Sequence, residues 1–431
     1  MIWKTTVWVD NKKAGTAESL STPQLFELPP LSPGKHTIVL AIDNRQHYQI
    51  GDATHAYTDG TQIIWNGVIG KMEIQAKEQS IRQVKITPDI DGQKVNFMIK
   101  LDNTAISQEN QLKVAIYFKG KNIAHKNIAV DPNNTYLALP IPHPQLWDEF
   151  APHLYTASVQ LVKRNKVMDH YQARFGMRKV TNEQSLLQIN NNRIFLRGTL
   201  ECNIFPLTGH PPMQKEGWIK VMVTAKSYGL NHLRFHSWCP PEAAFNVADS
   251  LGMYLQIELP LWATIRKNPD STQQFLRKEA ELILNSYGNH PSFCFFSMGN
   301  ELEGNFTWLN GLVKDLKSQD NRRLYATTSF SFGQKSWPQP QDQFYVTQWT
   351  TKGWVRGQGI FNDKAPSFNS DYRRSIDSIP VPIISHEIGQ YSVYPNMQEI
   401  KKYTGVLEPL NFIAVKKTLR KRECFLWQIV I

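Results

Sequence analysis

The sequence predicts a multidomain β plus α/β protein: two N-terminal β-sandwiches followed by a (β/α)8 TIM barrel, incomplete at its last strand and helix. Three observations carry that reading. Up to about residue 180, short alternating runs are separated by turn residues. Beyond it, apolar runs alternate with helical stretches, the rhythm of parallel strands joined by crossover helices. Two of those apolar runs close on a carboxylate, at Gly299-Asn300-Glu301 and at Ser385-His386-Glu387. In a parallel α/β barrel the strand tips are where chemistry is done.

In the first part, strands are expected over Thr5–Val9, His36–Ile42, Val95–Leu101, Lys113–Phe118 and Tyr155–Val162. The turn signals Asp10-Asn11, Pro33-Gly34, Asp91-Gly92 and Asp131-Pro132-Asn133-Asn134 punctuate them. Such spacing suggests β-sandwiches, with a seam near Gln79-Ser80. In the second part the expected strands are Arg193–Leu200, His232–His236, Met253–Glu258, Ser292–Met298, Arg323–Ser329, Gln343–Gln348 and Pro380–Ser385. Phe425–Ile431 is a candidate eighth strand, with nothing after it. Helices are expected over Gly217–Tyr228, Pro241–Leu251, Thr272–Tyr287 and Thr307–Ser318.

Composition excludes several classes. With 431 residues, 41% hydrophobic and 20% charged, the chain suits two or three globular domains. No run is long and apolar enough to span a bilayer, and no secretory signal opens the chain, so no membrane association is expected. The net charge of +11 reads as a basic surface. The one dense basic cluster, Lys416-Lys417 through Arg420-Lys421-Arg422, lacks a glycine-aromatic RNA signature, so no nucleic-acid partner is expected. Cys202, Cys239, Cys294 and Cys424 form no CxxC pair and read as free thiols. His236 and Cys239 have metal-ligand spacing but no second pair nearby, so neither a metal nor a cofactor is expected.

Two glutamates on two strand ends are the minimum equipment for cleaving a glycosidic bond. Glu301 reads as the acid that protonates the leaving oxygen and then as the base that activates water. The alternative is a carboxylate starting a helix. In a regular strand Asn300 and Glu301 would face opposite ways, and Gly299 permits the bend that lets both reach one site. Glu387 reads as the nucleophile, with Ser385 on its face and His386 on the other; a rim ion pair is the alternative. Arg234 and His236 lie on the second barrel strand, where the Arg234 guanidinium would keep Glu387 ionised; a surface salt bridge is the alternative. Glu258 binds substrate or pairs with Arg234. Trp238, Trp349 and Trp354 are candidate sugar platforms, though most of the twelve tryptophans belong in cores.

These residues resemble glycoside hydrolase family 2, the family of β-galactosidases, β-glucuronidases and β-mannosidases. Asn289-His290-Pro291-Ser292 with Gly299-Asn300-Glu301 is similar to its acid/base signature. Leu196-Arg197-Gly198, Asn231–Pro240 with Ala248-Asp249-Ser250-Leu251-Gly252, Phe175-Gly176-Met177-Arg178, and Trp65-Asn66-Gly67 with Gly70 resemble further family segments. The resemblance implies a partial sugar-binding-like β-sandwich over residues 1–78, an immunoglobulin-like β-sandwich over 79–179 and a truncated catalytic barrel over 180–431. It implies a retaining exo-β-glycosidase, with Glu301 as acid/base, Glu387 as nucleophile and Asn300 bonding the sugar 2-hydroxyl. Arg234 is the arginine beside the nucleophile, and His236, Glu258 and Trp349 complete the substrate site. A carbohydrate is the expected substrate, a β-galactoside the first guess by family frequency.

Three departures qualify the resemblance. Leu200-Glu201-Cys202 stands where the family often has Asn-Arg-His, so that subsite differs. Trp349 stands near an aligned tyrosine of the sixth strand, with Tyr345 close by. Both ends look cut, which leaves a periplasmic or extracellular compartment open. An incomplete barrel exposes a sheet edge, so an extended chain is expected to unfold at a higher temperature. The competing reading is a non-catalytic carbohydrate-binding protein, or an inactive fragment of such an enzyme; neither needs the glutamates.

Overall fold

The computed structural model describes all residues except 1, 56, 59, 62, 63, 66, 108, 132–134, 184, 334–336, 357–370, 389–395, 406 and 422–431. Asn66, Cys424 and the candidate strand Phe425–Ile431 therefore lie outside the described residues.

Three strands, Lys4–Val9, Lys12–Glu18 and Ile38–Asp43, form an antiparallel sheet with Lys4–Val9 in the middle. Strand Lys4–Val9 alternates half-buried and buried positions, the period-2 pattern of a one-sided sheet. The segment after Glu18 anchors to the barrel. Helix Ser271–Tyr287 presents buried Glu279, whose Oε1 accepts from the Leu20 and Ser21 amides at 2.9 and 2.8 Å and from Ser19 Oγ at 3.1 Å.

The next seven strands make two facing sheets. Ile81–Asp89, Lys94–Leu101 and Thr135–Pro140 form one; Lys166–Phe175, Tyr155–Lys163, Asn110–Phe118 and Lys121–Ala129 form the other. Val84, Phe97, Leu112, Val114, Leu137, Val159 and Phe175 fill one apolar core between them. The strands expected at Val95, Lys113 and Tyr155 are in this sandwich.

A short hairpin follows, in which Val180–Glu183, Leu186–Ile189 and Asn192–Arg193 pair antiparallel. Arg193 belongs here, not to the first barrel strand, which runs Gly198–Glu201. A turn at Asn190 and Asn191, both with positive φ, holds Arg193 back against Gln188.

Parallel strands Gly198–Glu201, His232–Phe235, Tyr254–Glu258, Phe293–Ser297 and Leu324–Ala326 make one sheet in that order. The bridge Ser329↔Val346 extends it to Tyr345–Thr347, which pairs with Ile383–Ser385. The described residues thus supply seven successive parallel strands and no closing eighth. Helices Lys215–Ser227, Glu242–Leu251, Ser271–Tyr287 and Phe306–Gln319 pack outside. Every residue of the second, third and fourth strands is buried, as expected of a parallel sheet covered on both faces. No helix among the described residues is long and apolar enough to cross a membrane.

The sandwich and barrel join at the amino ends of the barrel strands. The Trp147 indole N–H donates to the Asp249 carbonyl at 2.8 Å. Buried Arg178 donates to the Pro291 and Phe293 carbonyls, each at 2.8 Å, and to that of Arg322. Asn289 Oδ1 accepts from the Ile86 amide at 3.0 Å while Nδ2 donates to Val84 O at 2.7 Å. Asp249 is wholly buried and takes Ser292 Oγ and His290 Nδ1, each at 2.6 Å. The Asn289–Ser292 motif therefore ties the start of the fourth strand to the sandwich; Asn300 and Glu301 lie beyond the other end of that strand.

Candidate active site

At the carboxyl tips the backbone departs from regular strand. Gly299 has φ +140, and a Cβ there would sit 2.3 Å from the Leu261 carbonyl oxygen. Glu301 and Glu387 have φ values of 47° and 49°, a region non-glycine residues rarely occupy. At Glu301 the Ser329 carbonyl accepts the backbone amide at 3.0 Å. At Glu387 the left-handed turn breaks strand alternation, so His386 and Glu387 reach the same site. Expectation had placed them on opposite faces.

One carboxylate oxygen of Glu301, one of Glu387 and a ring nitrogen of His386 lie within 4.8 Å of one another. Glu387 Oε1 is 2.9 Å from His236 Nε2, 3.3 Å from His386 Nε2 and 4.0 Å from Arg234 Nη1. Arg234 is 3% exposed; its Nε donates to Glu258 Oε1 at 2.7 Å and its Nη2 to Asn300 Oδ1 at 2.5 Å. Asn300 is wholly buried, and its Nδ2 has no hydrogen-bond partner. Glu258 is also wholly buried, so of the two roles expected for it, the pairing with Arg234 is present.

The two glutamates titrate in opposite directions. Burial, and then the charge of Glu387, push the Glu301 carboxyl up to about 7; Arg234, the Trp262 indole and Arg356 offset this only partly. Burial alone would also raise Glu387. The His236 hydrogen bond and the charges of His236, Arg234 and Arg356 outweigh it and hold Glu387 below the usual carboxylate range. At neutral pH one carboxyl keeps its proton for much of the time while its neighbour is ionised, the division of labour an acid and a nucleophile need. Burial, with Arg234, His236 and Arg356 beside it, keeps His386 neutral.

The strain at Glu301 has a measurable consequence. Glu301→Gly removes the positive-φ penalty and a carboxylate that the fold accepts poorly when charged. Glycine's extra chain entropy offsets part of the gain, so unfolding free energy is expected to rise by about 1 kcal/mol. The folded Glu301 carboxyl holds its proton up to about pH 7, against 4.5 ordinarily, so the wild-type chain loses stability as pH rises through that window. The gain should therefore be larger at pH 8 than at pH 5, read from urea midpoints.

Trp349 packs edge-on against Phe330 and Trp354, with ring centroids 4.8 and 5.2 Å apart, and Phe330 stacks on His386 at 5.1 Å. Trp354 is 49% exposed. Trp238 is no platform: it is 1% exposed and packs with Trp218 and Phe235 in the barrel core. Its indole N–H donates to the Glu201 carbonyl. His236 and Cys239 do not converge either, since Cys239 is buried with its thiol against Pro240 O.

Sequence reasoning missed Arg356, whose Nη1 donates to the His386 and Glu387 carbonyls, and Trp262 beside Glu301. It also missed His55, whose ring lies 5.1 Å from that of His236. No local pattern marked any of them. Glu201 carried a signal as a departure from the family pattern; burial raises its carboxyl to about 7.

The Glu301 and Glu387 carboxyls thus meet at the carboxyl end of a parallel β/α sheet that follows the β-sheets of the first half of the chain. Residues 79–178 match the family model described as glycosyl hydrolases family 2. A putative β-glucuronidase of Formosa agariphila is 25% identical over 63% of this chain and 33% of its own length. A β-galactosidase of Yersinia enterocolitica is 20% identical over 86% of this chain and 38% of its own. The chain thus spans about a third of the length of these curated relatives. Among solved structures, the β-glucuronidase from Ruminococcus gnavus in complex with C6-substituted uronic isofagomine has a TM-score of 0.70 at 17% identity, covering 91% of this chain and 70% of that one. The GH2 β-galacturonidase from Eisenbergiella tayi bound to galacturonate has a TM-score of 0.68 at 17% identity, covering 91% and 71%. These two show the multidomain, β-rich, barrel-containing fold.

The chain is similar to members of glycoside hydrolase family 2, with the family-model match lying over residues 79–178.

Proposed function

We propose that this chain carries the catalytic centre of a retaining exo-β-glycosidase that removes terminal β-linked sugars by double displacement. The observation that carries this is the approach of the Glu301 and Glu387 carboxylate oxygens to within 4.8 Å. Retaining enzymes hold their carboxyl groups about 5 Å apart; inverting ones leave more room, for a water. In this reading Glu387 attacks the anomeric carbon while Glu301 protonates the departing oxygen. Glu301 then takes a proton from the water that releases the sugar. Asn300, with its unpartnered Nδ2, donates to the sugar 2-hydroxyl. Arg234 and His236 hold Glu387 ionised, and Trp349 flanks the sugar. Glu258 acts through Arg234.

We assign residues 1–78 to a partial sugar-binding-like unit, 79–179 to an immunoglobulin-like sandwich and 180–431 to the barrel. A β-galactoside remains the leading substrate; relatives named for β-glucuronides make glucuronides the next candidate.

A panel of nitrophenyl β-glycosides, with product anomers followed by NMR, tests the reading. Release of one sugar with retained configuration supports it. Inverted product, or binding of sugars without turnover, overturns it. The pH profile of kcat/KM should be bell-shaped. Its alkaline limb should lie near pH 7, as Glu301 loses the proton it must donate, and its acid limb below 4.5, as Glu387 gains one. Glu301→Gln should remove the alkaline limb.

A further inference from the structure

His55, Cys202 and His236 come from three separate parts of the chain and converge beside Glu387. His55 follows the N-terminal sheet, in a segment docked on the barrel: the Trp262 amide donates to Ile50 O at 2.8 Å, and a Cβ on Gly51 would meet the Trp262 carbonyl oxygen. Cys202 follows the first barrel strand and His236 the second. One possible ligand atom from each lies within 4.8 Å of the other two. Tetrahedral zinc, with bonds of about 2.0–2.3 Å, holds its ligands about 3.4–3.7 Å apart, so modest side-chain rotation closes the set.

A second observation points to an ion. His236 is 3% exposed; its Nε2 faces Glu387 Oε1 at 2.9 Å, while Nδ1 is buried with no hydrogen-bond partner. A buried ring nitrogen without a partner is uncommon. Histidines that bind metal through one nitrogen typically offer the other N–H to a carboxylate. Glu387 and His236 already make that outer half.

A coordinating thiol loses its proton to solvent as the metal–sulfur bond forms. One sulfur with two imidazoles selects a borderline-soft ion such as Zn2+ over Mg2+ or Ca2+.

We propose that His55, Cys202 and His236, the last through Nδ1, bind one zinc-like divalent ion whose fourth position is left to water. The ion pins the His55 segment to the barrel rim and fixes His236 as the N–H donor to Glu387. The site does not depend on the catalytic reading, and its test does not measure turnover. The reduced, full chain is titrated with Co2+ under anaerobic conditions, then with Zn2+. Expected are one equivalent of Co2+, a thiolate-to-cobalt charge-transfer band, its displacement by Zn2+ and a higher thermal midpoint with Zn2+. Cys202→Ser should abolish the band although Cys239, Cys294 and Cys424 remain. His55→Gln, checked for folding by circular dichroism, should weaken Co2+ by at least the roughly tenfold that losing even an outer partner costs. No band with excess Co2+, a band that survives Cys202→Ser, or unchanged affinity in His55→Gln overturns the proposal.

Discussion

Glu387→Gln is expected to abolish turnover of every β-glycoside the chain accepts, to about one part in ten thousand or less. The amide cannot form the glycosyl ester, and neither His236 nor Glu301 can replace it from its position. Glu301→Gln should behave differently. Substrates with a poor leaving group should lose about 10²- to 10⁴-fold in kcat, because protonation of the departing oxygen is the role proposed for Glu301. Those with an activated leaving group should lose much less in the first step and stall at release of the sugar. Sugar binding, measured by calorimetry, should survive in both variants. Equal, leaving-group-independent losses in the two variants would dismiss the assigned roles. Full activity in Glu387→Gln would sink the glycosidase reading altogether.

Arg234→Met carries the largest expected cost to stability. Arg234 is almost wholly buried, ion-paired to wholly buried Glu258, bonded to Asn300 Oδ1 and 4.0 Å from Glu387. Removing one member of a buried pair leaves the other charged and desolvated, at a cost of about 3–5 kcal/mol. Adding Glu258→Gln in the same chain should recover much of that, because the stranded charge is gone; a double-mutant cycle in urea reads the coupling. The acid limb of the pH profile should also move upward, since Arg234 is one of the groups that keep Glu387 ionised. A thermal midpoint within a degree of wild type would show that the pair carries little of the barrel's stability.

Much of the barrel was legible because its strands are apolar runs. Phe293–Ser297 and Tyr254–Glu258 sit inside the expected ranges, and the four outer helices lie within two residues of theirs. The first barrel strand was placed too early, because Ile194–Leu196 is also apolar and only the pairing of Arg193 with Gln188 marks the hairpin. Lys121–Ala129 and Lys166–Phe175 escaped notice: the first is mostly solvent-facing, and neither has a clean alternation. At the site, Glu301 and Glu387 were legible as carboxylates closing apolar runs. Their positive φ values were not, because a left-handed turn at glutamate has no sequence signal.

By itself the sequence determined which segments are strands and helices, and which two strand ends bear glutamates, since both follow from local periodicity and residue type. Only the tertiary structure decided what faces what. It divided one motif into a sandwich clasp, Asn289 to Ser292, and a strand tip, Asn300 and Glu301, that faces Glu387. It drew Trp238 into the core and brought His386 round beside Glu387. It also carried His55 across to Cys202 and His236. These are relations between residues distant along the chain, set by how sheets dock and where the backbone turns, and no local pattern encodes them.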